Sequence, residues 1–396
     1  MRTGFTKDVW LLFATRFIRL FAYGSLSVVL VFYLVGNGLT EQQTGLLITL
    51  TLAGDVAVSL LLTTRADRIG RKRVLLAGAA LMAGAGVAFA STKVFVLLLI
   101  AGTLGVISPS GNEVGPFLPI EQAALSSVVP GRIRTEVFAW YTLAGALATA
   151  VGALAAGAFG NSRAVIIFYA FLGVVLAVLF AQLSRATEVT PSAGKPTLSG
   201  LYASKAVVAK LSALFALDSF AGGFVMQSFA AYWFYLRWGV SAEKLGAIFF
   251  GANVLAGLSA LVASRMAKRF GLIRTMVITH LPSNVLLILV PMMPTMALAV
   301  AVLFVRFSIS QMDVPTRQSY VMAVVSPDER SAAAGITGVA RTLGAAASPV
   351  FAGLLFARPA LINVPFFIAG TLKIAYDLLL YREFRAVRPP EESGSR

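Results

Sequence analysis

RFIRLFAYGSLSVVLVFYL (16–34) and DSFAGGFVMQSFAAYWFYL (218–236) share one layout: a long apolar run with a charge at its first position. Tyr33-Leu34 and Tyr235-Leu236 close the two runs in register. Beyond them GLTEQQTG (38–45) answers GVSAEKLG (239–246), with Thr40 opposite Ser241 and Gly45 opposite Gly246. The chain therefore reads as an internal duplication, and its two copies hold opposite charges, Arg16 and Asp218, at matched positions. Duplication of this kind marks secondary transporters, whose substrate sites lie between repeats.

Composition agrees with a life in lipid. Hydrophobic residues make up 58% of the chain and charged residues only 13%, against about 25% charged in a soluble domain. Mean hydropathy is +0.83. With no cysteine, disulfides and thiolate metal sites are excluded. The first apolar run holds two arginines and lacks a small-residue cleavage site, so it is expected to stay as a first helix. A spanning helix needs about 20 apolar residues, and twelve fit: 8–35, 43–63, 72–92, 94–128, 136–158, 164–183, 210–236, 245–263, 272–292, 295–325, 331–356 and 361–381. The fourth and tenth exceed one straight span, and each is interrupted by proline and polar residues, SPSGNEVGPFLP (108–119) and SQMDVP (310–315). Such breaks are tolerated where backbone faces protein or a wet cavity. The polar stretch 184–205 has linker composition. The expected organisation is a six-helix half at 1–183, a cytoplasmic linker at 184–209, a second half at 210–382 and a cytoplasmic tail at 383–396.

With the N-terminus inside, 22 Lys/Arg fall in cytoplasmic segments, 5 in outer loops and 6 within spans, which accounts for all 33. That asymmetry predicts a multi-pass protein of the cell membrane with both termini cytoplasmic. It also explains the net charge of +16 without a nucleic-acid partner.

The loop TTRADRIGRKRVLL (63–76) resembles the loop-two signature of the major facilitator superfamily, with Asp67, Arg68, Gly70, Arg71 and Lys72 matching and Thr63 in place of the opening glycine. SRMAKRFGLIR (264–274) is a decayed copy at an offset of 201: Arg269, Gly271 and Arg274 answer Arg68, Gly70 and Arg73, and Lys268 replaces Asp67. The resemblance covers essentially the whole chain. It implies an all-α integral membrane fold of 12 transmembrane helices, in two pseudo-symmetric six-helix bundles around a central cavity lined by the first, fourth, seventh and tenth helices. It implies too that Asp67 caps a neighbouring helix and steadies one transport conformation. Two patterns of drug–proton antiporters are missing: an arginine in the fourth helix, and a Gly-Pro pair in the fifth, where GALATAVGALAAG (145–157) has small residues suited to close packing.

Ionisable groups within a span are functional candidates by default. Arg16 and Asp218 lie about 12 Å from the inner ends of their helices at 1.5 Å per residue. PIEQAALSSVVP (119–130) answers PTRQSYVMAVVSP (315–327), setting Glu121 opposite Arg317 at the same depth. Neutralising pairs are open both within and across the halves, and partner exchange among these four would make an inner gate. Deeper lie Arg19, Glu113, Asp313 and Arg341. Asp313 and Arg317 can pair along one helix face. Arg341 has no counterpart in the fifth helix and is a candidate for a substrate anion, because a guanidinium fork matches carboxylate or phosphate. Glu113 is the candidate proton carrier. Asp55 and His280 carry weaker signals, and a lone histidine in a peripheral helix is expected to serve packing.

No phosphate-binding glycine loop, metalloprotease His/Glu spacing or G-x-S-x-G elbow occurs in the chain. The expectation is a secondary transporter, not an enzyme, with no cofactor. It moves a small organic solute by alternating access, is coupled to H⁺, works as an exporter, and acts as a monomer in the lipid bilayer. The alternatives are an organic-anion transporter using the central arginines, and a membrane sensor or scaffold that does not transport.

Overall fold

A computed structural model describes residues 6–63, 66–129, 134–159, 161–188, 204–325 and 330–387, with the side chains at 67, 68, 126, 134–136, 139, 260, 264, 268 and 330–332 outside that description. The described residues are helical, without strands. In chain order they form α1 (Lys7–Gly36), α2 (Glu41–Thr63), α3 (Ala66–Ile69), α4 (Arg71–Ser91), α5 (Phe95–Leu104), α6 (Phe117–Val128), α7 (Arg134–Ala158), α8 (Ser162–Ala181), α9 (Lys205–Gly223), α10 (Gln227–Trp238), α11 (Ala242–Phe270), α12 (Leu272–Leu289), α13 (Met296–Ser310), α14 (Asp313–Val324), α15 (Arg330–Ala347), α16 (Pro349–Phe356) and α17 (Val364–Phe384). Eleven described segments are long and apolar enough to span a bilayer. The twelfth expected span, the fourth, is divided into α5 and α6 around an irregular stretch at 105–116, so neither piece is long enough alone.

The breaks follow the sequence. Gly111 and Gly115 adopt φ of 73° and 79°, a region that favours glycine. The tenth span is interrupted at Gln311-Met312 between α13 and α14. The seventh was expected as one run, but α9 stops at Gly222-Gly223 and α10 starts at Gln227. A Cβ on Gly223 would collide with the Ser348 hydroxyl. Local packing of glycine, invisible in the hydropathy pattern, therefore sets this end.

The duplication is written into the backbone. Gly38 and Gly239 take φ of 97° and 61°, and Gly70 and Gly271 take 106° and 83°. In both copies a hydroxyl then starts the next helix: Gln43 N–H donates to Thr40 Oγ1 at 3.1 Å, and Lys244 N–H to Ser241 Oγ at 3.4 Å.

Two compact units result, one of residues 1–193 with 227–250 and the other of 194–226 with 251–396. In the first, α1 packs along α7 and α8. The small residues of 145–157 serve that packing: a Cβ on Gly152 would overlap the Phe21 carbonyl, and one on Gly24 the Thr149 carbonyl. In the second, α9 packs along α15 and α17, and α12 along α13, α14 and α17. Gly344 faces the Ala216 carbonyl as closely. Segment 227–250 joins the first unit through polar contacts: Gln227 Nε2 donates to Ser27 Oγ at 2.8 Å, and Tyr232 Oη to Glu41 Oε1 at 2.9 Å. Ser228 donates both its N–H and its hydroxyl to the Pro109 carbonyl. Pro109 lies in the fourth-span break, where helix continuity no longer satisfies the backbone.

Candidate functional site

Each unit encloses an ionic cluster. In the first, Arg19 is wholly buried and grips Glu121 with two nitrogens, Nη1 to Oε1 at 2.6 Å and Nη2 to Oε2 at 2.7 Å. This is the fork geometry a guanidinium is suited to. Tyr141 Oη donates to Glu121 Oε2 at 2.5 Å and Thr15 Oγ1 to Oε1 at 3.1 Å, so four donors hold one carboxylate. Arg19 Nη2 also reaches Glu113 Oε2 at 3.0 Å. Arg16 Nη1 lies 2.6 Å from Glu113 Oε1. The two groups meet as charges, with an angle too poor for a hydrogen bond, and Arg16 Nε has no partner. The Arg16 guanidinium rests over the Tyr141 ring at 4.4 Å and that of Arg19 over Phe117 at 4.7 Å. Gly145 leaves room for Arg16, because a Cβ there would lie 2.7 Å from Nε. Two arginines and two glutamates balance.

In the second unit Asp218 is the hub. Its Oδ1 accepts from Lys373 Nζ at 2.6 Å, its Oδ2 from Arg317 Nη1 at 3.1 Å, and His280 Nε2 lies 3.8 Å from Oδ1. Arg317 also pairs with Asp313, four residues before it, at 3.5 Å. His280 Nδ1 contacts Asp377 Oδ1 at 2.8 Å, and Asn284 Nδ2 donates to Asp377 Oδ2 at 2.9 Å. Asp218, His280 and Asp313 have the ligand types of a metal site. Lys373 and Arg317 already occupy both oxygens of Asp218, so the set does not fit a metal ion.

Seven of the eight pathway residues picked from sequence fall into these clusters, with pairings only partly anticipated. Arg16 meets Glu113, Glu121 goes to Arg19, and Asp218 pairs with Arg317 inside its own unit. Arg341, on α15, has no ion-pair partner among the described residues, and its Nε is buried without a hydrogen bond. Arg306, on α13, is alike in both respects. Sequence reasoning did not place Lys373 or Asp377 in the site, nor the contacts of His280 with Asp377 and Asp218. The spacing of Lys373 and Asp377, one turn apart on an apolar helix, was a usable signal. Asp55 accepts from the Gly115 N–H at 2.6 Å and so secures the broken fourth span to α2.

The basic loop is tied down by an acid from the linker. Backbone N–H groups of Arg71 and Lys72, at the start of α4, donate to Glu188 Oε2 and Oε1 at 2.7 and 3.0 Å. Arg71 Nη1 donates to Ser127 Oγ and the Thr187 carbonyl at 3.1 and 3.2 Å, and Lys72 Nζ to the Leu183 carbonyl at 3.0 Å. Asp8 accepts from Ser184 N–H and Oγ at 2.9 and 2.5 Å. The side chains of Asp67 and Arg68 lie outside the described residues.

Comparison with known proteins yields one family model, that of the Major Facilitator Superfamily, matching residues 12–349 and 211–396. A curated relative from Saccharomyces cerevisiae, "Uncharacterized membrane protein YJR124C", is 31% identical over 426 residues, covering 96% of this chain and 95% of the yeast protein. The solved nucleoside transporter NupG superposes with a TM-score of 0.77 at 16% identity, covering 96% of this chain and 100% of its own. The human organic anion transporter MFSD10 gives 0.69 at 15%, covering 95% and 100%.

Proposed function

Since the chain belongs to the major facilitator superfamily and is a transporter of small solutes, we propose that it exports a small organic compound by alternating access, driven by H⁺. The observation that carries this reading is the pair of buried ionic clusters, one per unit, built on the duplicated positions Arg16/Asp218 and Glu121/Arg317. Buried ion pairs are a poor way to stabilise a fold, since apolar residues of similar volume do as well or better. Their presence in both copies favours a working role. The pathway is assigned to Arg16, Arg19, Glu113, Glu121, Asp218, Asp313, Arg317 and Arg341. The moving bodies are the halves 1–183 and 210–382, joined by 184–209. The Lys/Arg distribution supports a cell-membrane protein with both termini in the cytoplasm, and the proposed working unit is a monomer.

The test is flux in proteoliposomes, with a pH gradient imposed in either direction. Uridine, D-xylose and a dicarboxylate serve as labelled solutes, chosen because solved proteins of this fold include a nucleoside transporter, a D-xylose–proton symporter and an organic anion transporter. Acceleration of any of them by the gradient supports the reading, and indifference of all three to pH removes the H⁺ coupling.

A second reading, transport of an organic anion, is favoured by Arg306 and Arg341, two cations without a carboxylate partner among the described residues. Arg341→Lys should then weaken dicarboxylate flux at least about tenfold, because an ammonium cannot present the same fork. Normal flux in that variant would remove Arg341 from the substrate site.

A further inference from the structure

His280 is the single histidine of the chain. Its side chain is 7% exposed, and that of Asp377, against it, is wholly buried. Among the described residues no Lys or Arg contacts the Asp377 carboxylate. Its partners are His280 Nδ1 at 2.8 Å and Asn284 Nδ2 at 2.9 Å. The Asn284 amide turns its NH2 side to both groups, Nδ2 lying also 3.1 Å from Nδ1, while its Oδ1 has no partner among the described residues. Turned the other way it would set its oxygen against a carboxylate oxygen. The ionised Asp377 carboxylate can only accept, so Nδ1, 2.8 Å from its Oδ1, carries a hydrogen directed at it, which leaves the lone pair of the neutral ring on Nε2. Nε2 is the nitrogen that faces Asp218 Oδ1, at 3.8 Å.

The groups in direct contact leave one charge to be filled, while Arg306 and Arg341 act on Asp218 and Asp313 without an ion pair among the described residues. Around α12, α9 contributes Asp218. From α14 come Asp313 and Arg317, and from α17 come Lys373, Tyr376 and Asp377. Arg306 is the one charge on α13. The joined contacts hold three carboxylates, Asp218, Asp313 and Asp377, and two fixed cations, Lys373 and Arg317. A proton on Nε2 brings that set to neutrality. In the first unit both oxygens of Glu113, the carrier expected from sequence, face guanidiniums.

We propose that His280 with Asp377 forms a proton-binding site, in which Nε2 takes the proton and Asp218 is the carboxylate that responds to it. As the coupling site, it rests on the H⁺-driven reading above. The Nε2 lone pair takes a proton from hydronium, leaving water, and the imidazolium points its new N–H at Asp218 Oδ1, the oxygen held by Lys373. Release returns the proton to water. Each cycle thus redistributes Asp218 between α12 on one side and α17 and α14 on the other, linking proton occupancy to the packing of three helices.

The test uses the full chain with ¹⁵N-labelled histidine, whose imidazole signals can come only from His280. Between about pH 5 and pH 9, Nε2 should pass from lone pair to N–H while Nδ1 keeps its hydrogen throughout. An Nε2 in one state across that range overturns the proposal. In Asp377→Leu, Asn284 is left to donate to Nδ1, so the neutral ring should switch to the Nε2–H tautomer. Retention of the Nδ1–H tautomer overturns the geometry, and if that variant does not fold the wild-type titration still decides. For coupling, the ratio of flux with and without a pH gradient should fall to one in His280→Gln, for whichever of uridine, D-xylose or the dicarboxylate the wild type moves. An unchanged ratio overturns the coupling role. If the wild type shows no pH-driven flux, the H⁺-driven reading fails, while the titration independently decides the proton site.

Discussion

At the scale of single residues, Glu121 is the most constrained group in the first unit. It has no exposure and accepts from Arg19 twice, from Tyr141 and from Thr15. Glu121→Gln leaves the Arg19 charge half-compensated, and breaking a buried pair in this way costs about 3–5 kcal/mol. Tyr141→Phe removes one hydrogen bond to a charged acceptor, worth about 1.5–3 kcal/mol. Thermal melting of the purified protein should rank them wild type, Tyr141→Phe, Glu121→Gln in falling order. Equal melting of all three would mean that water replaces the lost contacts. The sequence made Glu121 visible as a charge inside a span, but not its partner. Arg16 and Arg19 are three apart and reach from one helix towards the same region, and hydropathy cannot tell which guanidinium meets which carboxylate. The contacts of His280 were hidden for a similar reason. A lone imidazole has no motif, and its partners Asp218 and Asp377 are 62 and 97 positions away.

Among helices, the glycines of α7 do two kinds of work. Gly152 lets α7 approach α1, and Gly145 makes the space that the Arg16 guanidinium fills. Gly145→Val should displace Arg16 from its seat over Tyr141 and loosen its contact with Glu113, lowering stability by about 1–3 kcal/mol as overpacking does. The check is a melting comparison in the Arg16→Met background, where a shorter uncharged side chain should absorb much of the penalty. At the start of α4, Glu188→Ala removes the acceptor for two backbone amides, a capping loss of about 1 kcal/mol. Faster proteolytic nicking of the 183–188 segment should report it, and an unchanged cleavage rate would show that Arg71 and Lys72 hold the turn unaided. The paired starts at Thr40 and Ser241, and the paired turn glycines, were legible from spacing. The interruption at Gly222-Gly223 was not, because it depends on Ser348, which lies 125 residues away and packs against that turn.

For the whole molecule, the four charges at duplicated positions were expected as one coupled gate, with pairings open within and across halves. In this structure Arg16 pairs with Glu113 and Glu121 with Arg19 inside the first unit, and Asp218 pairs with Arg317 inside the second. Partner exchange during transport remains a sharp expectation. Double-mutant cycles on flux and melting should give Arg16 a coupling energy of about 0.5–3 kcal/mol to Asp218 in one locked conformation and not in the other. Absence of coupling in both would make each cluster a static brace. Fold class and span number were legible because lipid forces long apolar helices and duplication repeats their punctuation. The site was half legible, since a charge in a span announces itself while its contacts are long-range.

The Pro109 carbonyl receives both of its donors from Ser228, 119 residues later in the chain. At translation rates of about 5–20 residues per second, roughly 6–24 s separate the synthesis of the acceptor from that of its donors. During that interval the fourth span carries an unsatisfied carbonyl at its break, a group that costs about 1–3 kcal/mol if buried. Completion of that contact thus depends on a later part of the chain. It waits on the ribosome for a piece of the second repeat, and the break is the place where a membrane chaperone or the translocon would have to shelter the nascent protein.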